Sequence, residues 1–144
     1  MKTLITALAA TMVLAGGAQA QAMGAPAVQP LLAGATAAPD CGGRAGLSPV
    51  AFCISTSLSQ VQATGEAYFS HLMADGWQVY STEGSRFLFA RGQGEACEGL
   101  QVLVFFDPDA PQTAEAPGWF AFGTVPGMDC EIPAPAPEPQ VPAQ

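Results

Sequence analysis

The sequence predicts an α+β domain in which one helix packs on a four-stranded antiparallel meander. A short fifth strand at 50–55 would extend this to βαβββ. Three observations carry the prediction. Residues 100–106 form the longest strand-favouring apolar run outside the N-terminal stretch, with Val102, Val104, Phe105 and Phe106 suiting an inner strand. Only residues 57–75 show sustained helical spacing. The segments that follow are strand-like and are separated by turn residues, with no second helical pattern among them.

Residues 1–20 read as a secretory signal peptide. Lys2 gives a positive start, 4–14 form an uncharged apolar core, and Ala18-Gln19-Ala20 fits the small-x-small pattern before a cleavage point. The apolar core is short for a bilayer span, so no stable membrane insertion is expected. Residues 21–40, rich in Ala, Gly, Pro and Gln, have no period and read as a flexible linker. The folded domain is expected over 41–131. The alternating prolines of 132–144 predict an extended, solvated tail with polyproline II character.

Within the domain, 41–49 reads as Gly-rich loop. Val50, Phe52 and Ile54 place one apolar side on the short strand at 50–55. In the helix, Ser57 and Gln60 match a capping box. Leu58, Val61, Gly65, Tyr68, Phe69 and Leu72 share one side, and Gly76 supplies the stop. Gly65 costs about 1 kcal/mol relative to alanine, and close helix–sheet contact is the reason expected for it. Residues 77–82 and 86–91 form the first two meander strands, joined by a tight turn at Glu83-Gly84. Residues 100–106 and 118–124 form the other two, and consecutive antiparallel strands are expected to be neighbours.

The whole chain carries a formal net charge of −8. Loss of the leader removes Lys2 and no acid, leaving three arginines against twelve acidic residues. Nucleic acid and anionic lipid both need a basic surface and are therefore disfavoured, and no nucleic-acid partner is expected. Four cysteines in an exported chain, with no C-x-x-C pair, read as two structural disulfides rather than a redox or zinc site. Following the meander, Cys97 and Cys130 arrive at the same end of the sheet, whereas Cys53 precedes the helix at the other. The favoured pairs are thus Cys41–Cys53 and Cys97–Cys130.

Few constellations carry chemistry. His71, the only histidine, stands four residues before Asp75, which would suit a base oriented by a carboxylate. No nucleophile or metal motif accompanies the pair, and a surface ion pair is the commoner meaning. Asp107, Asp109, Thr113 and Glu115 offer oxygens for calcium. Pro111 and Gln112, however, stand where an EF-hand loop needs an acid or amide and a glycine. The hydroxyl-rich run 55–59 is explained by helix capping. Gly92, Gly94 and Gly99 flank a cysteine loop as turn punctuation. No cofactor and no metal are implied.

The informative anomaly is that both faces of the sheet are apolar. Phe87 and Phe89 alternate with Leu88 and Ala90; Val102, Val104 and Phe106 alternate with Leu103 and Phe105; Trp119 and Ala121 alternate with Phe120 and Phe122. A sheet with one wet face shows polar residues at every second position. One helix covers one face, so Leu103, Phe105, Phe120 and Phe122 are expected to share the face left for another cover: the 50–55 segment with the 31–50 stretch, a second copy of the chain, a partner or a small hydrophobic ligand. The function expected is a small non-catalytic exported, periplasmic binding or accessory module, using that face for self-association or an envelope protein partner. The alternatives are a cell-envelope enzyme or inhibitor with a site near His71 and Asp75, and a metal-binding accessory protein using the 107–115 loop. The composition of the leader and of the Ala/Gly/Pro-rich ends is that of bacterial exported proteins.

Overall fold

The computed structural model describes residues 22–130. The leader at 1–20 and the tail at 132–144 lie outside the described residues. Six antiparallel strands form one sheet in the order β1-β2-β6-β5-β4-β3. They are β1 (Thr36–Ala37), β2 (Phe52–Ser57), β3 (Gln78–Glu83), β4 (Arg86–Arg91), β5 (Glu98–Phe106) and β6 (Pro117–Val125). One helix, α1 (Val61–Ala74), follows a 3-10 turn at Leu58–Gln60. The α+β class holds, but the expected strand count of four or five does not.

The short strand expected at 50–55 is found as β2, and β1 is the strand the sequence did not announce; both lie beyond β6. β2 pairs with β6 from Phe52 opposite Phe122 to Ser57 opposite Pro117, and β1 pairs with β2 on its outer side. Residues 24–27 continue the slot that β2 leaves. Gly24 N–H donates to the Thr124 carbonyl at 2.7 Å, and Ala27 N–H donates to the Phe122 carbonyl at 3.0 Å. The stretch expected as a linker therefore supplies hydrogen bonds to an inner strand and one short strand of its own.

The start of α1 also differs from the capping-box expectation. Ser57 is extended, with φ −72° and ψ 152°, and ends β2; its hydroxyl lies 3.1 Å from that of Ser59 and caps no backbone group. The donors of the first turn are met from the loop before β6 instead. Leu58 N–H donates to the Ala116 carbonyl at 2.8 Å and Ser59 N–H to the Ala114 carbonyl at 3.1 Å. A helix end needs its donors satisfied by some partner, and here a distant loop provides them. The C-terminus is local: Gly76 takes φ +87°, Gly76 N–H reaches the Met73 carbonyl and Trp77 N–H the Leu72 carbonyl. This is the Schellman arrangement, which glycine adopts without a Cβ penalty.

The main core lies between α1 and the sheet. Tyr68 and Leu72 from the helix meet Ile54, Phe89, Leu100, Val102, Phe120 and Phe122, all fully or almost fully buried. The Tyr68 hydroxyl is satisfied by the N-terminal segment, donating to the Pro30 carbonyl at 2.9 Å and accepting from Leu32 N–H at 3.3 Å. Thr64 donates to Thr56 at 3.3 Å in the same layer. Among the described residues no buried side-chain nitrogen or oxygen lacks a hydrogen-bond partner, as a well-formed interior requires.

The opposite face is covered by irregular chain. Met23 lies on Gly123, where an added Cβ would come within 2.6 Å of Met23 Cγ. Ala38, Cys41 and Ala51 pack with Cys53, Phe105 and Ala121. Met128 and Cys130 pack with Ala90 and Val125. Cys41 is bonded to Cys53, and Cys97 to Cys130, so two of these covering segments are tied to the sheet or to the loop beside it.

Candidate functional site

Phe120 and Phe122 lie under α1 and are fully buried, whereas Leu103 and Phe105 lie on the other face. The cause is the β5–β6 register, which sets Leu103 opposite Ala121 and Phe105 opposite Trp119. Residues paired across a ladder point to the same side of the sheet. The four residues expected to form one adhesive face are therefore divided between two faces, each covered by the chain itself.

His71 is exposed on α1, and the Asp75 carboxylate is engaged elsewhere. Arg91 Nη1 donates to Asp75 Oδ2 at 2.9 Å, and Arg91 Nε donates to Glu98 Oε2 at 2.9 Å. The hydrogen bond with Glu98, assisted by the charges of Glu98 and Asp75, holds the Arg91 guanidinium above its ordinary pKa. Arg91 also lies over the Trp77 ring at 4.5 Å. Asp75 thus belongs to a surface cluster that ties the end of α1 to β4 and β5, and it does not orient His71. In the 107–115 loop, Asp107 Oδ1 accepts from Asp109 N–H at 2.9 Å, and the Gln112 amide donates to the Asp107 and Ala110 carbonyls. Asp107, Asp109 and Glu115 are all exposed. Among the described residues no group of three His, Cys, Asp or Glu side chains is placed to hold a metal ion.

An open cleft lies on the helix side. It has a volume of about 350 Å³ and runs between the first half of α1 and the strands β4, β5 and β6. That is near the low end of the roughly 300–1,000 Å³ usual for small-ligand pockets. Phe87, Val104 and Phe120 form its floor, and Val61 and Phe69 form one wall. Gln62, Glu66 and Ser85 stand at the rim, and Gln62 donates to Glu66 at 3.0 Å.

The cleft has a simple origin in the helix repeat. Val61, Gly65 and Phe69 are spaced by four, so they form one row along the helix. Gly65 leaves a notch in the middle of that row. Tyr68 carries the helix toward Phe122, with ring centroids 5.1 Å apart, and Phe69 reaches across to Phe87 and Phe89 at 4.8 and 5.1 Å. The sheet below the notch stays open. An alanine Cβ at Gly65 would meet Phe120 Cε1 at 3.4 Å, which is an ordinary contact. Close approach therefore does not require glycine here; the missing side chain opens the cleft instead. The i, i+4 row with a glycine at its centre was the available signal.

Compared with known proteins, the chain matches no family model, no curated protein and no solved structure. No helix among the described residues is long and apolar enough to cross a membrane. The two disulfides suit an oxidising, extracytoplasmic compartment.

Proposed function

We propose that the protein is a non-catalytic, exported binding module of the periplasm or cell exterior. Its α1 cleft takes up an apolar anchor from a neutral or basic partner polypeptide. The single observation carrying this reading is the cleft itself: a preformed apolar floor that stays open although a core surrounds it. The charge of the partner follows from Glu66 at the rim and from the net charge of −8, which repel anions and favour cations. The leader-like residues 1–20 and the two disulfides support export. The exposed His71 and the engagement of Asp75 by Arg91 favour binding over catalysis.

The test uses N-phenyl-1-naphthylamine, an uncharged probe that brightens in apolar surroundings. Saturable uptake by the wild type and its loss in Gly65→Leu, whose side chain fills the notch, are the expected results. Equal uptake by both proteins would remove the cleft from the argument.

Self-association is favoured by a different observation. The outer edge of β3 has no neighbouring strand among the described residues, and Val79 and Tyr80 on it are half-exposed. Open edges invite strand pairing. The register shift between Val79 and Ser81 twists this edge and limits such pairing. Light scattering across a concentration series distinguishes monomer from dimer.

A further inference from the structure

We propose that a second hollow, on the opposite face of the sheet, is a binding site for a small organic monocarboxylate. The hollow lies between the Cys41–Gly43 turn and the end of β5, with a volume of about 210 Å³. This is below the roughly 300 Å³ at which drug-sized pockets begin, so it admits only a compact ligand. It is independent of the α1 cleft and shares no lining residue with it.

Arg44 is the reason for the carboxylate. Its guanidinium carbon lies 4.1 Å from the centroid of the Phe105 ring. Among the described residues no carboxylate lies within ion-pair distance of it, whereas Arg91 holds two. A guanidinium stacked on a ring has its face occupied and its N–H edge available, and that edge matches the two oxygens of a carboxylate. In a chain with twelve acidic residues, a fixed cation without an acidic partner is the exception.

The arginine is also held in place. Cys41 is tied to Cys53 on β2, and Arg44 N–H donates to the Cys41 carbonyl at 3.3 Å. Gly42, at φ +64°, rests on the indole of Trp119, where a Cβ would come 2.6 Å from Cε2. A cross-linked turn loses little freedom on binding, which is the advantage of preorganisation.

The other walls select the rest of the ligand. Phe105 and Trp119 stack at 5.7 Å, and Phe106 and Pro108 close the side, so the body should be hydrocarbon. Arg44 on the Phe105 ring repels cations. Asp107 lines the same hollow while accepting from Asp109 N–H, and its charge disfavours a second negative group on the ligand. A single carboxylate on a small apolar ring or chain satisfies all three conditions.

Trp119 reports on this site directly. In a Trp77→Phe background it is the sole tryptophan, and the full chain can be titrated with cyclohexanecarboxylate and, separately, with the uncharged cyclohexanecarboxamide. The expected result is a saturable change in Trp119 fluorescence with the carboxylate alone, weakened by added salt. Arg44→Gln should weaken binding at least about tenfold, the size expected for loss of a charge-assisted hydrogen bond. Arg44→Lys should recover part of it, and Asp107→Asn should strengthen it. Arg44 and Asp107 are exposed, so these variants should keep the fold, which circular dichroism checks. A response equal for acid and amide, or unchanged in Arg44→Gln, or no saturation with either compound, would reduce Arg44 to a shield over Phe105 and overturn the proposal.

Discussion

The two faces of the sheet are both covered by the chain, but by different means. On one face a rigid helix supplies Tyr68, Phe69 and Leu72, and large rings from β4 and β6 rise to meet them. On the other, irregular chain lies close on the sheet where one of the two partners is small: Met23 on Gly123, Gly42 on Trp119, and Ala38 and Ala51 beside Ala121. A glycine in the helix row that faces the sheet leaves part of the sheet unfilled, and that gap at Gly65 is the α1 cleft. Irregular chain can follow the sheet, but its ordering costs about 1–2 kcal/mol per residue in backbone entropy. Disulfides at the two ends of this cover, Cys41–Cys53 and Cys97–Cys130, offset part of that cost.

This contrast can be tested from its strongest consequence downward. Phe122→Ala empties a fully buried site under the helix and should cost about 3–5 kcal/mol, measured by urea unfolding. Removing the other cover's clamp with Cys41→Ser and Cys53→Ser opens a link between residues 12 apart. The chain-entropy treatment gives about 3 kcal/mol for a loop of this size. Hydrogen exchange should then rise around Ala38 and Ala51 while the α1 amides stay protected. Uniform loss of protection would mean that the two faces are not separately held.

A glycine comparison isolates the difference further. Gly123→Ala drives a Cβ into Met23 and should cost about 1–3 kcal/mol, as overpacking does. Tyr68→Phe removes the bonds to Pro30 and Leu32 and should cost about 1 kcal/mol at neutral pH. It should also change the alkaline limb of the stability curve. Burial pushes the Tyr68 pKa above its ordinary value of about 10, opposed by the Leu32 N–H bond. The folded state therefore keeps a proton that the unfolded state releases. The wild type holds this contribution below about pH 10 and loses it as pH rises through the folded value, and Tyr68→Phe should lack that loss. Smallest is Gly65→Ala, expected to stabilise by about 0.5–1 kcal/mol, since the Cβ meets only an ordinary contact and helix propensity improves. Opposite signs at Gly65 and Gly123 would confirm that one face is open and the other closely covered.

The α+β class, the single helix among the described residues and the presence of disulfides were legible because each has a local cause: helical spacing, a glycine stop at Gly76, and four cysteines with no C-x-x-C pair behind a leader-like run. The start of α1 was not, because Ser57 completes β2 and the first-turn donors are met by the Ala114 and Ala116 carbonyls. Nor was the docking of residues 22–40, whose Ala, Gly and Pro residues have no period. Residues 24–27 are held by the unpaired part of the β6 edge, Pro30 and Leu32 by the Tyr68 hydroxyl, and Thr36–Ala37 by β2, none of which is in place until the sheet and helix form.

Alternation along β5 and β6 determined, from the sequence alone, that each strand carries two apolar sets and that both faces need cover. Which set of β5 joins which set of β6 was decided only in three dimensions. That depends on register, and a shift of one residue exchanges the faces of a whole strand. The same holds for the two hollows. Gly65 and Arg44 are an ordinary glycine and an ordinary charge until α1 is laid across the sheet and the disulfide at Cys41 draws the turn onto Phe105 and Trp119.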